Sequence, residues 1–462
     1  MLVIISDLHL TDGTTGKTVA ADAFERFRGN LQELAYFASF RGEELGSYQP
    51  VTRLDVVLLG DVVDQVRSTR WTDEREGEPG FARPWSRLDD AAERAALVAK
   101  LERITDDILA QNEASFAHFR RLAGERPVAL PPATGSGFPA RNVRRVPVET
   151  HVHYMAGNHD WFMNLPGDDF EGLRTKVTQA MGLSNPPGPY PHDPAESEAI
   201  SEVFAQHRVF ARHGDIYDPF NYDKIGRHVA SLGDAIVVEL MNSFPDMVRE
   251  RMAGDLPPTF LAGMDEMGNV RPTLLVPVWI QGLLKRHNVR KVHGDEVKRI
   301  WNEIANQTLD SPFIREKDTR SPFDTVDLLE TTLRFSRLAS FHSLAELVSW
   351  VQQKLWGGDV SFAKFALEEE AFEDQSAHYF VYGHTHHAEV VPLYTETRPD
   401  GNELAQMYFN SGTWHPVHDI TIAKPREQTF IQTKVLTYLA FYKDDERKGR
   451  KYETWTGTLF DR

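Results

Sequence analysis

Cysteine is absent from the 462-residue chain. Its absence excludes disulfide staples and thiolate zinc clusters, and it is compatible with a reducing compartment. Long apolar runs are absent as well. The nearest, LLVPVWIQGLL at residues 274–284, falls short of the roughly 18 to 20 residues needed to cross a bilayer. Positive charge is scarce: 51 Lys plus Arg stand against 68 Asp plus Glu, a formal charge of -17. So acidic a surface repels a nucleic-acid backbone and argues against nucleic acid as a partner. A local group such as Arg141, Arg144 and Arg145 could still hold one phosphate. The first apolar run begins at Leu2, so removal of a secretory leader of about 15 to 30 residues would also remove the residues of chemical interest near the start. A cytoplasmic protein with no transmembrane segment is expected.

Against these absences stand 41% hydrophobic residues, ample for a packed core, and five short strings of one design. Gly157-Asn158-His159-Asp160 closes the run VHYMA. Asp7-Leu8-His9 follows LVIIS, Gly60-Asp61-Val62-Val63-Asp64 follows LDVVLL, His213-Gly214-Asp215 follows RVFAR, and Gly383-His384-Thr385-His386 follows HYFVY. Each run reads as a buried strand, and in α/β sheets the ends of such strands gather at one ligand-binding edge. The side chains offered are carboxylate, amide and imidazole with no thiolate, which suits Mn, Fe or Zn. Asp7, His9, Asp61, Asn158, His213, His384 and His386 are too many ligands for one ion. A bridging carboxylate and two ions about 3.5 to 4 Å apart would clamp an in-line displacement at phosphorus.

The ordered set D-x-H, G-D-x-x-D, G-N-H-D, H-G-D and G-H-x-H resembles the signature of the calcineurin-like metallophosphoesterase superfamily. The resemblance implies a four-layer α/β/β/α sandwich with two mixed sheets. It assigns Asp7, His9, Asp61 and His386 to one divalent ion, with Asp61, Asn158, His213 and His384 on a second; Mn is the leading expectation, Fe and Zn the alternatives. A water or hydroxide held between the ions would be the nucleophile. His159 would be the general acid, oriented by Asp64, with Asp160 in support. The expected activity is dinuclear metal-dependent phosphoester hydrolysis, as a phosphodiesterase, phosphatase or pyrophosphohydrolase, on a phosphorylated small-molecule or lipid-linked substrate. The alternatives are a nuclease and a metal-binding scaffold without turnover. The Ser/Thr protein phosphatase branch has Gly, Arg and Glu where this chain has Leu10, Gln65 and Asp160, so its phosphate-clamping arginine is missing from its usual place. Asp-Leu-His-Leu more closely resembles the branch containing bacterial UDP-diacylglucosamine pyrophosphohydrolases.

The motifs run from residue 7 to residue 386, which favours one domain over 1–462 with insertions at about 65–145 and 219–377. In the first, Leu97, Leu101, Ile104 and Ile108 share one helical face and are expected to pack on the core or cover the site mouth. Helices are also expected over about Ala20–Phe40 and Phe170–Met181. The second insertion reads as a helical cap, with helical periods around Ala235–Met252, Leu274–Lys285 and Val326–Leu355. Trp350 and Trp356 are expected to pack on the core, peripheral membrane contact being the alternative reading. His151 and His153 lie within a strand rather than at its end and are expected to be structural. Beyond His386, five alternating runs between Glu389 and Tyr442 read as antiparallel strands extending a second sheet, and Asn410-Ser411-Gly412-Thr413 as a turn common after the last motif of the superfamily.

Overall fold

Every motif-bearing apolar run forms a strand. The computed structural model describes residues 1–125, 127–318, 325–338, 361–399, 401, 403–421 and 430–458. Its main strands are β1 (Leu2–Ile5), β2 (Arg53–Leu59), β3 (Glu149–Met155), β4 (Val209–Ala211), β5 (Val270–Arg271), β6 (Tyr379–Tyr382), β7 (Ala388–Thr397), β8 (Glu403–Ser411), β9 (Val417–Ile420), β10 (Phe430–Thr433), β11 (Val435–Phe441) and β12 (Tyr452–Thr458). The first sheet has the order β12-β11-β1-β2-β3 and the second β4-β6-β8-β7. Both are mixed: β1, β2 and β3 run parallel, with β11 antiparallel to β1 and β12 antiparallel to β11, and β4, β6 and β8 run parallel, with β7 antiparallel.

Alternation along the strands sorts the core. Leu2, Ile4, Val57, Leu59, Leu439 and Phe441 of the first sheet join Val209, Tyr379, Val381 and Phe409 of the second in one buried cluster, so the sheets face each other. The intervening residues, among them Val3, Ile5, Val56 and Leu58, turn outward to the helices Ala21–Ala38, Ala91–Gln111, Glu113–Arg120 and Asp168–Met181. Leu97, Leu101, Ile104 and Ile108 are all fully buried there, so this face of the first insertion packs on the core. Phe380, Tyr382 and Tyr408 turn to the other outer face, against Phe362, Ala363 and Ala366. The chain is therefore a mixed α/β protein.

The second insertion has its own apolar core. It contains helix at Leu232–Ala235, Ile236–Asn242 and Ser243–Met252, then at Pro258–Met264, Val276–Arg286, Lys291–Leu309 and Thr325–Leu338. Phe244, Phe260, Val278, Ile300 and Ile304 are buried among these helices. A third sheet, β10-β9-β5, ties the insertion to the C-terminal part of the chain through the pairs His418↔Val270 and Asp419↔Arg271. Trp350, Trp356 and the expected helix beyond Leu338 lie outside the described residues. The later strands do not all extend the second sheet. β7 and β8 do, whereas β9 and β10 build the third sheet and β11 returns to the first. Both faces of β11 are buried, because its alternate residues serve the inter-sheet and helix-side clusters; that suits a strand with neighbours on both edges.

Candidate metal centre

The motif strings occupy the loops that leave the C-terminal ends of β1, β2, β3, β4 and β6, and the loops are zipped together by backbone hydrogen bonds. The amides of Asp7 and His9 donate to the carbonyls of Gly60 and Asp61 at 3.1 and 2.8 Å, and the amide of Gly383 to the carbonyl of His213 at 2.9 Å. Five of the seven candidate ligands, Asp7, His9, Asp61, His384 and His386, have φ between 42° and 67°. This left-handed region costs a non-glycine residue about 1 to 3 kcal/mol and persists only where the surroundings impose it. The motif glycines are needed for close approach. A Cβ on Gly157 would lie 2.3 Å from Asp61 Oδ1, and one on Gly60, whose φ is +84°, 2.5 Å from His213 Nδ1.

All seven sequence-predicted ligands come together. Asp7, His9 and His386 form one group whose donor atoms lie within 4.8 Å of one another, and Asp61, His213 and His384 a second. His9 Nε2 is 3.0 Å from His386 Nε2, which is 3.4 Å from Asp7 Oδ1. His213 Nε2 is 3.3 Å from Asp61 Oδ2 and 3.2 Å from Asn158 Oδ1, and His384 Nδ1 is 3.0 Å from the same amide oxygen. Asp61 Oδ2 also lies 3.7 Å from His9 Nε2, so one carboxylate oxygen faces both groups.

Partners on the far ring nitrogens set the tautomers. His9 Nδ1 meets Asp64 Oδ2 at 2.7 Å, His213 Nδ1 meets the Leu59 carbonyl at 2.9 Å and His384 Nε2 meets Asp218 Oδ2 at 3.0 Å. With one nitrogen committed outward, each of these three rings turns its other nitrogen inward. Ligands about 2.1 Å from one ion and 90 to 110° apart are separated by about 3.0 to 3.4 Å, the spacing of the five pairs above, while His9 Nε2 and Asp7 Oδ1 stand wider at 3.9 Å. The donor set fits two cations.

Charge in the cluster points the same way. Asp7, Asp61 and Asp64 are buried, and buried carboxylates require positive partners. Burial pushes the Asp7 carboxyl up. For Asp61 burial is the largest influence and also raises, but His213 and His159 outweigh it and hold the carboxyl well below the usual range. Burial lowers His9, and burial together with Arg271 holds His386 well below the ordinary histidine value, which leaves both neutral. His213 goes the other way: burial would lower it, but Asp61 and Asp7 raise it well above.

His159 lies beside this cluster, partly exposed, with Nδ1 2.8 Å from Asp64 Oδ1. Burial alone would lower its pKa, but Asp64 and then Asp61 raise it to about 9. Asp64 therefore holds both His159 and the candidate ligand His9. Asp160 accepts from the amides of Val62 and Gly157 and from Tyr154 Oη, bracing the second motif against the third. Burial, then Asp61, raises its carboxyl to about 6. His153 pairs with Asp55 at 3.2 Å and His151 with Glu149 at 2.9 Å, along β3 rather than at its end. Arg141, Arg144 and Arg145 are exposed and do not line the cavity over the site.

Several residues of the site were not singled out from the sequence. Asp218 is one, although an acid five residues beyond His213 was visible. Thr413 Oγ1 donates to the Asp7 carbonyl at 2.6 Å and His415 Nε2 meets the His9 carbonyl at 3.1 Å, while Asn410 Nδ2 donates to the Gly383 carbonyl at 2.7 Å. The turn at Asn410–Thr413, which the sequence did single out, thus braces the first and last motifs. Arg271, from the capping insertion, also abuts the cluster: its Nη2 lies 2.7 Å from His386 Nδ1 and 3.1 Å from His386 Nε2. A cavity of about 400 Å³ adjoins the cluster, lined by Asp61, Asn158, His159, His384, His386 and Arg271, with apolar walls from Phe220, Ile236, Val237, Phe362 and Ile420.

No protein-family model and no curated protein matches the chain. No helix among the described residues is long and apolar enough to cross a membrane.

Proposed function

We propose that the protein is a dinuclear metal-dependent phosphoester hydrolase of the calcineurin-like type. The carrying observation is the convergence of carboxylate, amide and imidazole atoms, with neighbouring atoms 3.0 to 3.9 Å apart within each group and Asp61 Oδ2 facing both. Two mixed sheets with a shared apolar core and helices on their outer faces support the four-layer reading of the fold. Asp7, His9, Asp61 and His386 would hold one ion, and Asp61, Asn158, His213 and His384 the other. Mn leads, and Fe or Zn is accepted by the same donors. When bound, the ions supply a lowered pKa for water and electrostatic stabilisation of the phosphoryl oxygens.

The chain's own residues do the rest. Asp64 keeps the His159 Nδ1 proton in place and stabilises the charged imidazolium, so His159 is poised to give its Nε2 proton to the departing ester oxygen. The backbone of His159 is fixed in turn by its amide, which donates to Asp61 Oδ1 at 2.8 Å. The capping insertion walls the cavity with apolar side chains, which removes water and strengthens charge interactions at the reacting phosphate. The substrate class is a phosphorylated small molecule, lipid-linked compounds included.

The test is hydrolysis of chromogenic phosphomonoesters and phosphodiesters with Mn, after chelation, and in Asp61→Asn and His159→Ala variants. Turnover that needs metal and is lost in both variants is expected. Two ions bound per chain without turnover of any ester would refute the hydrolase reading.

A further inference from the structure

Of the four imidazoles in the cluster, His386 alone lacks an acceptor on its far nitrogen. His9, His213 and His384 donate outward to Asp64, a carbonyl and Asp218, but the edge of His386 faces a cation, the Nη2 of Arg271, at 2.7 Å from Nδ1 and 3.1 Å from Nε2. A ring that gives its Nε2 lone pair to an ion must carry its proton on Nδ1. It then has nothing to offer Arg271, whose Nη2 protons must find an acceptor elsewhere. Arg271 is otherwise well fixed. Its Nη1 donates to the carbonyls of Gly268 and Val270 at 2.9 and 3.0 Å, and its backbone is registered against Asp419 in the third sheet. No carboxylate among the described residues forms an ion pair with it.

The guanidinium lines the cavity beside Asn158, His159 and His384, where the phosphorus centre of an ester would be held. Gln65, which stands where the Ser/Thr phosphatase branch has its arginine, is turned away: it is fully buried and its Nε2 donates to Thr105 Oγ1 at 2.9 Å. The cap has put a fixed positive fork over a site whose own second motif supplies none. Away from the cluster, the same cavity is walled by Phe220, Ile236, Val237, Phe362 and Ile420. Apolar walls favour an apolar group on the ester oxygen over a polyanionic or heavily hydroxylated one.

We propose that Arg271 is the anion clamp of this site, binding a phosphoryl oxygen through Nη2, and that the substrate is a phosphoester of an apolar alcohol seated in the adjoining chamber. The proposal rests on the phosphoesterase reading above. Arginine suits the role because its planar fork matches phosphate oxygens and stays charged.

The test uses the full chain loaded with Mn, with inorganic phosphate as the probe. By calorimetry, Arg271→Gln should weaken phosphate about tenfold or more while two Mn per chain are retained. Phosphate affinity within about twofold of wild type in that variant, with both ions present, overturns the clamp. If Arg271→Gln does not fold, the wild type decides: phosphate should slow modification of Arg271 by phenylglyoxal, read by mass spectrometry, and no protection overturns the clamp. For the substrate class, KM for 1-naphthyl phosphate should be about tenfold below that for glycerol 2-phosphate, and Ile236→Asn should raise the first more than the second. Equal KM values in the wild type overturn the apolar assignment. A wild type that binds no Mn and hydrolyses neither ester sinks the phosphoesterase reading and the proposal with it, whereas turnover that ignores Arg271 sinks the clamp alone.

Discussion

Asp64→Asn should weaken one ion and spare the other, because Asp64 holds a single member of the ligand set. Its Oδ1 accepts from the Arg67 amide at 3.0 Å and from His159 Nδ1 at 2.8 Å, and its Oδ2 meets His9 Nδ1 at 2.7 Å. Asparagine has one oxygen and one NH2 group, and the oxygen will settle where two donors await it, toward Arg67 and His159. The NH2 group then faces His9 Nδ1, which must become an acceptor. The proton moves to Nε2, where His9 needs its lone pair, so the ring is held in the wrong tautomer for ligation. Outer partners of ligating histidines are worth roughly 10- to 100-fold in metal affinity, about 1.4 to 2.7 kcal/mol. That loss should fall on the ion of Asp7, His9 and His386. Asn158, His213 and His384 do not touch Asp64, so the second ion should keep its affinity. Titration of chelated protein with Mn, against a chromogenic competitor, resolves the two sites. At saturating Mn, turnover should still fall by about 10²- to 10⁴-fold, because His159 has lost the charge that keeps it protonated. Equal weakening of both ions, or of neither, would refute the reasoning.

Gly157→Ala should cost about 1 to 3 kcal/mol through overpacking and reduce bound Mn from two ions to one, since the new methyl would press on Asp61 and on His213 Cδ2, 2.9 Å away; retention of both ions at full affinity would contradict it. In chelated protein the raised pKa of His159, about 9 against 6.5 unfolded, makes stability fully present below pH 6.5 and lost as pH rises through 9. His213 acts in the same direction, and His9 and His386, which are lowered, change below that window. Urea unfolding in EDTA should show a loss of roughly 3 kcal/mol from His159 across it, reduced in His159→Gln. Phe409→Ala opens a cavity between the sheets, where the ring is fully buried, and should cost about 3 to 5 kcal/mol by urea denaturation.

The placement of the candidate ligands was legible because each of them sits on a local string that a strand delivers to one edge. Asp7 and His9, two residues apart, or His384 and His386, can be placed without knowing where the chain goes next. The role of Asp64 was half legible. Its pairing with His159 follows from the resemblance, but its bond to His9 depends on how the first two loops are zipped through Gly60 and Asp61. β12 gave no usable pattern. Its sequence YETWTGT is largely polar, and only pairing with β11 makes it a strand, with Trp455 stacked on Tyr438 at a centroid distance of 5.0 Å.

Arg271 was beyond reach for a different reason. Nothing in the run NVRPT marks it, and its neighbours in sequence are cap residues with their own core. Its place over the site comes from β9, a strand nearly 150 residues later, which pairs with β5 and sets the arginine's register opposite Asp419. The same tether brings Ile420 to the cavity wall. A change that loosened β9 from β5 would therefore move a positive charge and an apolar wall together, although neither strand carries a predicted ligand. The motif strings fix which donor atoms this edge offers. What reaches it is set by the register between the cap and the end of the chain.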